Sequence, residues 1–220
     1  TIGMELRYFS LGDITFTDVV GTTIGQFKPN EFALASAYSR KLSSRFSLAI
    51  AGRYIYSNLT GGQLAQGQPT QAGQSIAADV AGYFETPLRI AKQDLDLAIG
   101  CNISNIGSKI SYTETADRDF IPINLRFGTS LGTDFDDYNK ISLAFDINKL
   151  LVPTPPIMEN DVRVAGMDPN VSVVSGMIQS FWDAPGGIKE EFREINYSLG
   201  TEYWYADQFA IRAGYFFEHA

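Results

Sequence analysis

The chain has 220 residues, enough for one large all-β domain or two small ones. A net charge of -8 and a pI near 4.6 argue against nucleic acid as a partner. Charged residues make up 19%, below the ~25% usual for soluble domains, and no run reaches the ~18 apolar residues of a membrane helix. A transmembrane barrel stays open, because its strands hide their hydrophobicity in alternation.

Nine segments alternate apolar and polar residues with a period of two, which predicts strands with one oily and one wet face. They run at residues 3–16, 30–41, 45–57, 74–87, 94–112, 120–132, 140–152, 194–205 and 208–218. Most have ten or more residues. Ordinary globular strands have about five or six, whereas a tilted strand crossing a bilayer needs about 9–11. The connections alternate strictly in size. Short ones lie at 42–44, 88–93, 133–139 and 206–207, and long ones at 17–29, 58–73, 113–119 and 153–193. Outer-membrane barrels alternate in this way.

The clearest strand is FIPINLRFGTSL, residues 120–131. Its apolar set is Ile121, Ile123, Leu125, Phe127, Thr129 and Leu131. Equivalent sets are Leu97, Ile99, Cys101 and Ile103, then Ile141, Leu143, Phe145 and Ile147, then Phe209, Ile211 and Tyr215. None carries a charge, as expected of a lipid face, where one Arg or Lys at mid-membrane costs about 2–4 kcal/mol. The opposite set mixes Ala, Ser and Gly with charges. Arg53, Asp96, Arg126, Asp146 and Arg212 are expected to form a charge network inside a polar lumen. Aromatic clusters at Tyr54 and Tyr56, at 203–205 and at 215–217 suit interfacial girdles. The fold expected is an all-β, transmembrane, antiparallel up-and-down barrel, a single domain over residues 1–220. A soluble β-sandwich would also alternate, but with shorter strands and more Lys and Glu outside.

The chain opens on TIGMELRYF and stops at IRAGYFFEHA, both strand-like, and shows no leader. Both ends read as cut. Nine strands break the even-number rule of bacterial barrels, so further strands are expected.

The connection 153–193 is expected to lie outside the cell and to carry a helix. PTPP leads out of the strand, and Asp168-Pro169-Asn170 looks like a helix start. Val171, Val174, Met177, Ile178 and Phe181 follow at helical spacing, and with Trp182 they form the candidate contact surface for a partner or cargo. Residues 189–194 could add a helical turn. The same stripe could instead pack over the barrel mouth.

Catalytic and metal chemistry find no support. Cys101 is the only cysteine and His219 the only histidine. No P-loop or GxSxG occurs. Asp134, Asp136 and Asp137 read as a solvated turn, and Asp94/Asp96 and Glu190/Glu191 as lumen and loop charges. The expectation is no enzyme, no cofactor and no metal.

Three stretches carry a resemblance: GMELRYFSLGDITFTD (3–18), LAFDINKLLVPTPP (143–156) and SGMIQSFWDAPGGIKEEFREI (175–195). They resemble the PorV family, outer-membrane barrels of the type IX secretion system of Bacteroidetes, and the likeness extends along the whole chain. That family is related to the fourteen-stranded FadL barrels. The resemblance implies a complete barrel of 14 strands in the bacterial outer membrane. It implies partners too: the giant translocon barrel (SprA or Sov), PorU-type attachment machinery, and cargo proteins recognised by their C-terminal signal domain. For these the natural contacts are the connections 58–73, 113–119 and 153–193. The alternative is a FadL-like transporter of hydrophobic small molecules, which would need an apolar pocket in the lumen.

Overall fold

The computed structural model describes residues 1–18, 20–62, 64, 65, 68–90, 92–113 and 118–219. The expected connections 17–29, 58–73, 88–93 and 113–119 therefore each include positions outside the described residues.

The chain forms β1 (Ile2–Ser10), β2 (Ile14–Thr17), β3 (Thr23–Phe27), β4 (Asn30–Lys41), β5 (Phe46–Asn58), β6 (Leu64–Ala65), β7 (Gln68–Pro69), β8 (Gly73–Ile90) and β9 (Gln93–Gly107). It continues with β10 (Asn124–Asp134), β11 (Asn139–Leu150), β12 (Ile157–Glu159), β13 (Val162–Ala165), α1 (Val173–Gln179), α2 (Ile188–Arg193), β14 (Ile195–Tyr205) and β15 (Phe209–Phe217). Nine long strands make one antiparallel sheet in the order β1-β4-β5-β8-β9-β10-β11-β14-β15. Each strand neighbours the next long strand in sequence, an up-and-down meander. The three small hairpins β2–β3, β6–β7 and β12–β13 sit within the long connections. The sheet is open, with β1 and β15 at its edges.

Register decides what each face carries. Leu97, Leu131 and Leu143 lie opposite one another across β9, β10 and β11, as do Cys101, Phe127 and Ile147. Tyr8, Phe32 and Tyr56 share that face across β1, β4 and β5, and Leu143 pairs with Thr201, which pairs with Ala213. The apolar sets read from separate strands thus merge into one apolar face. The other face joins Asp96 with Gly132 and Ser142, and Gly128 with Gly100 and Asp146. A one-residue slip of any strand would send its whole apolar set to the polar side.

The turns between long strands follow from local chemistry. Ala206 and Asp207 have φ of 52° and 53°, and Gln208 N–H donates to the Tyr205 carbonyl at 3.1 Å, a tight turn that closes the hairpin of β14 and β15. Between β10 and β11, Asp136 accepts bonds from the backbone N–H of Tyr138 and Asn139, each at 2.8 Å, and Asn139 Nδ2 donates to the same carboxylate. These bonds hold the Asp136 carboxyl below its usual range. Asp136 and Asp137 lie in this turn, and Asp134 ends β10 opposite Lys140.

Several expected elements shift. The strand expected at 3–16 breaks where Gly12 adopts φ 79°, and β2 turns away to pair with β3. The strand expected at 94–112 stops at Gly107, where an added Cβ would lie 2.5 Å from the Ile76 carbonyl. The strand expected at 120–132 begins only at Asn124, since Pro122 cannot donate to a ladder. Ile121 and Ile123 accordingly leave the apolar face. They are 4% and 0% exposed and pack with Ala77, Ile110 and Leu151 in the buried core. Tyr112, Phe120, Val173 and Met177 close over this core, so it forms where long connections cross one end of the sheet. The connection 153–193 also contains the β12–β13 hairpin, turned by Asn160 and Asp161 at φ 49° and 62°.

Ile123 anchors this core, so Ile123→Ala is expected to destabilise the fold by about 2–5 kcal/mol. Equilibrium unfolding in denaturant checks this; a loss below about 1 kcal/mol would mean the connections do not form a packed core.

Candidate functional site

Two features can do more than form wall: the charges of the polar face, and the connection after β11.

On the polar face, Arg53 of β5 donates to Asp79 of β8 at 2.8 Å, and both side chains are largely buried. Asp79 also accepts the backbone N–H of Asn105 at 2.7 Å. Asn105 in turn accepts a bond from Arg53 and donates its Nδ2 to the Pro122 carbonyl at 2.9 Å. Asn105 has φ 61° at a register shift between β8 and β9, a bulge that turns its backbone N–H toward the carboxylate. This node ties β5, β8 and β9 to the segment entering β10. A second pair joins Arg212 of β15 to Glu202 of β14, with the guanidinium 5.4 Å from the Trp204 ring centroid.

The expected five-member network therefore resolves differently. Arg53 and Arg212 are paired, but with Asp79 and Glu202. Arg126 and Asp146 line one hollow of the same face beside Gly100, Asn102 and Ser130. Asp96 lines the next hollow with Arg45 and Glu85. Among the described residues no ion pair joins Arg126, Asp96 and Asp146. Asp79 and Glu202 stood on the correct alternation in the sequence, but choosing a partner required the cross-strand register.

The connection after β11 is built around one buried cation. Lys149 Nζ donates to Glu191 at 3.0 Å and to Glu194 at 2.8 Å. The Lys149 and Glu191 side chains are 7% and 9% exposed. Glu194 also accepts the Thr154 hydroxyl at 2.7 Å, and Glu191 accepts the Ala184 backbone N–H at 2.8 Å. Asp183 accepts bonds from Thr154 N–H at 3.1 Å and Gln179 Nε2 at 3.3 Å. Its other oxygen, Oδ1, is buried without a partner among the described residues. These bonds explain the segment DAPGGIKEE. Asp183 and Glu191 point inward as acceptors, and Gly187 takes φ 70° to start α2. Glu190 reaches back to the Gly186 N–H.

The sequence stripe of the candidate contact residues divides on this scaffold. α1 starts at Val173 with Ser172 as its cap, because the Ser172 hydroxyl accepts the Ser175 N–H at 3.2 Å. Asp168 lies upstream and accepts the Asn170 N–H instead. Met177 packs on the core and Val171 is half-buried, whereas Val174, Ile178, Phe181 and Trp182 are exposed. α2 adds two exposed apolar residues that the stripe did not include, Ile188 and Phe192.

Burial pushes the Asp183 carboxyl above its ordinary value, against the bonds from Thr154 and Gln179 that pull it down. A raised folded-state value penalises the ionised form at neutral pH, and the penalty disappears as pH falls below the ordinary carboxylate range. Asp183→Asn removes the charge and keeps an acceptor. Its protection of residues 153–193 from amide exchange should exceed that of the wild type at neutral pH, with the gap narrowing on acidification. A gap that widens in acid would contradict this. Lys149→Ala leaves Glu191 buried without a cation and is expected to cost about 3–5 kcal/mol. Limited proteolysis should then cut within 153–193 while the sheet stays intact.

The described residues contain no group of His, Cys, Asp and Glu able to hold a metal ion. A family model described as type IX secretion system protein PorV matches residues 1–157. The match ends at the first residue of β12, so the segment 175–195, which carried part of the resemblance, lies beyond it. No curated protein matches the chain.

Proposed function

The chain belongs to the family of type IX secretion system protein PorV, and from that premise we propose that it is an outer-membrane barrel component of that system. The observation that carries the membrane reading is the apolar face. Ile50, Phe127, Leu131, Leu143, Phe145, Leu199, Ile211 and Tyr215 are all exposed on one side of the long sheet. A water-soluble protein rarely leaves so large an apolar surface open. Lipid covers such a face, and closure of the open edges by further strands to a 14-stranded, FadL-like barrel would satisfy β1 and β15.

Tyr8, Phe32, Tyr54 and Tyr56 cluster at one end of that face, with Phe32 and Tyr56 stacked at 5.1 Å. Tyr203, Tyr205 and Phe209 lie at the other end. Both bands suit the membrane–water boundary. Trp204 and Phe216, expected in the same girdles, sit on the polar face, opposite Lys140 and Ser198.

In this reading the protein is not an enzyme. It accepts secreted cargo by the C-terminal signal domain and associates with the translocon barrel and PorU-type attachment machinery in the bacterial outer membrane of Bacteroidetes. The long connections carry the contacts, with Val174, Ile178, Phe181 and Trp182 the exposed residues of the docking stripe. A FadL-like transport of small hydrophobic molecules is less well supported, because the polar face carries Ala, Gly, Ser and charges in place of an apolar pocket.

Two experiments test the proposal. Leu143→Arg at mid-strand on the apolar face should cost about 2–4 kcal/mol in a bilayer and impair folding into vesicles. Ser142→Arg, one residue along on the polar face, should be tolerated. Equal tolerance of both variants would sink the lipid assignment. Separately, Val174→Asp with Ile178→Asp should weaken co-purification with the translocon and secretion of cargo; undiminished association would remove α1 from the docking surface.

A further inference from the structure

The end of the connection 153–193 meets the sheet on its apolar side. Lys149 shares the register row of Leu125 and Ile195, on the face of Ile147 and Phe145, and it is buried by Glu191 of α2 and by Glu194, the residue that caps its C-terminus. Leu151, next on that face, is 2% exposed, and its N–H bonds to the carbonyl of buried Ile123. Leu150, on the polar side between them, is 44% exposed. Residues 191 and 194 thus cover the rim of the apolar face beside Lys149, while Val173 and Met177 pack on the buried core.

α2 then sorts its charges by side. All three acids at this helix are used internally: Glu191 and Glu194 on Lys149, and Glu190 on the Gly186 N–H. What remains exposed is Ile188, Phe192, Lys189 and Arg193. Among the described residues neither Lys189 nor Arg193 makes an ion pair. Phe181 and Trp182, at the end of α1, are 48% and 57% exposed on the same connection. Bulky apolar residues beside unpaired cations, at the rim of an apolar wall, match the chemistry of the membrane interface. Aromatic and aliphatic groups enter the headgroup zone there, and Lys and Arg reach anionic phosphates.

We propose that Phe181, Trp182, Ile188 and Phe192, with Lys189 and Arg193, form an interfacial anchor that seats the connection in the headgroup layer of an anionic membrane. The anchor rests on the lipid reading of the apolar face, and it moves Phe181 and Trp182 from the docking surface to the lipid surface. Bound in this way, the connection leaves the exposed α1 residues free for a protein partner.

The chain has two tryptophans, Trp182 and Trp204, so emission can be assigned. The full chain is reconstituted in phosphatidylcholine vesicles with and without phosphatidylglycerol, carrying lipid brominated near the headgroup or deep in the acyl chain. Trp204→Phe isolates Trp182, and the difference between wild type and Trp182→Phe supplies the same signal if the first variant folds poorly. The anchor requires that shallow bromine quench most of the Trp182 emission, that deep bromine quench less, and that Lys189→Glu with Arg193→Glu abolish the gain given by phosphatidylglycerol. Protein that floats with vesicles while Trp182 is quenched by aqueous iodide and not by bromolipid overturns the anchor and leaves the barrel reading standing. Trp182 shielded from both quenchers overturns it too and points to a protein contact. Failure to float with vesicles overturns the barrel reading and the anchor together.

Discussion

The structure depends on one constraint: the cross-strand register that gathers most of the large apolar side chains of nine long strands on the same face. Nothing else in the chain is as extensive. Each strand contributes several apolar positions, and a period of two means that a single slip would carry them all to the polar side. Short turns protect the register. The tight turn at Ala206–Asp207 and the Asp136 turn each fix one hairpin from its own backbone and side-chain bonds.

Charge is confined by the same constraint. The polar face holds its charges among Ala, Gly and Ser, and the two that are best placed find partners, Arg53 with Asp79 and Arg212 with Glu202. On the apolar face Lys149 is instructive because it breaks the rule at the rim. It is buried by Glu191 of α2 and the capping Glu194, so the cation that would spoil the wall becomes the post on which the loop is built. Loop and wall are therefore coupled: Glu191 and Glu194 of the loop close on a cation of β11. Membership of a type IX secretion family fits such a division of labour, with a wall that places a structured connection at one end.

Much of the wall was legible in the sequence. The number of long strands, their alternation of short and long connections, and the side taken by Leu97, Phe127, Leu143 and Ile211 follow from a period of two. The exceptions have local causes. Pro122 ends the ladder before Ile121 and Ile123 can join it, and Gly12 and Gly107 end strands that alternation alone would extend. Trp204 and Phe216 were grouped with their aromatic neighbours by composition, whereas parity sends them to the polar side. The candidate site was less legible. A charge shows its face but not its partner, so Asp79 and Glu202 were missed. The helix stripe in 153–193 was visible, but Met177 turns inward and Ile188 and Phe192 outward because of the Lys149 cluster, which joins residues 42 and 45 positions apart.

The central claim is that the apolar face of the sheet meets lipid. Site-directed spin labelling along β11 tests it most directly, with Cys101, the only cysteine, first replaced by serine. Nitroxides placed in turn at residues 141–148 of the reconstituted protein report access to oxygen, which concentrates in lipid, and to a water-soluble nickel chelate. The account expects a period of two, with Ile141, Leu143, Phe145 and Ile147 open to oxygen and closed to the chelate. Access to the chelate at Leu143 and Phe145 equal to that at Ser142 and Ala144 would contradict it.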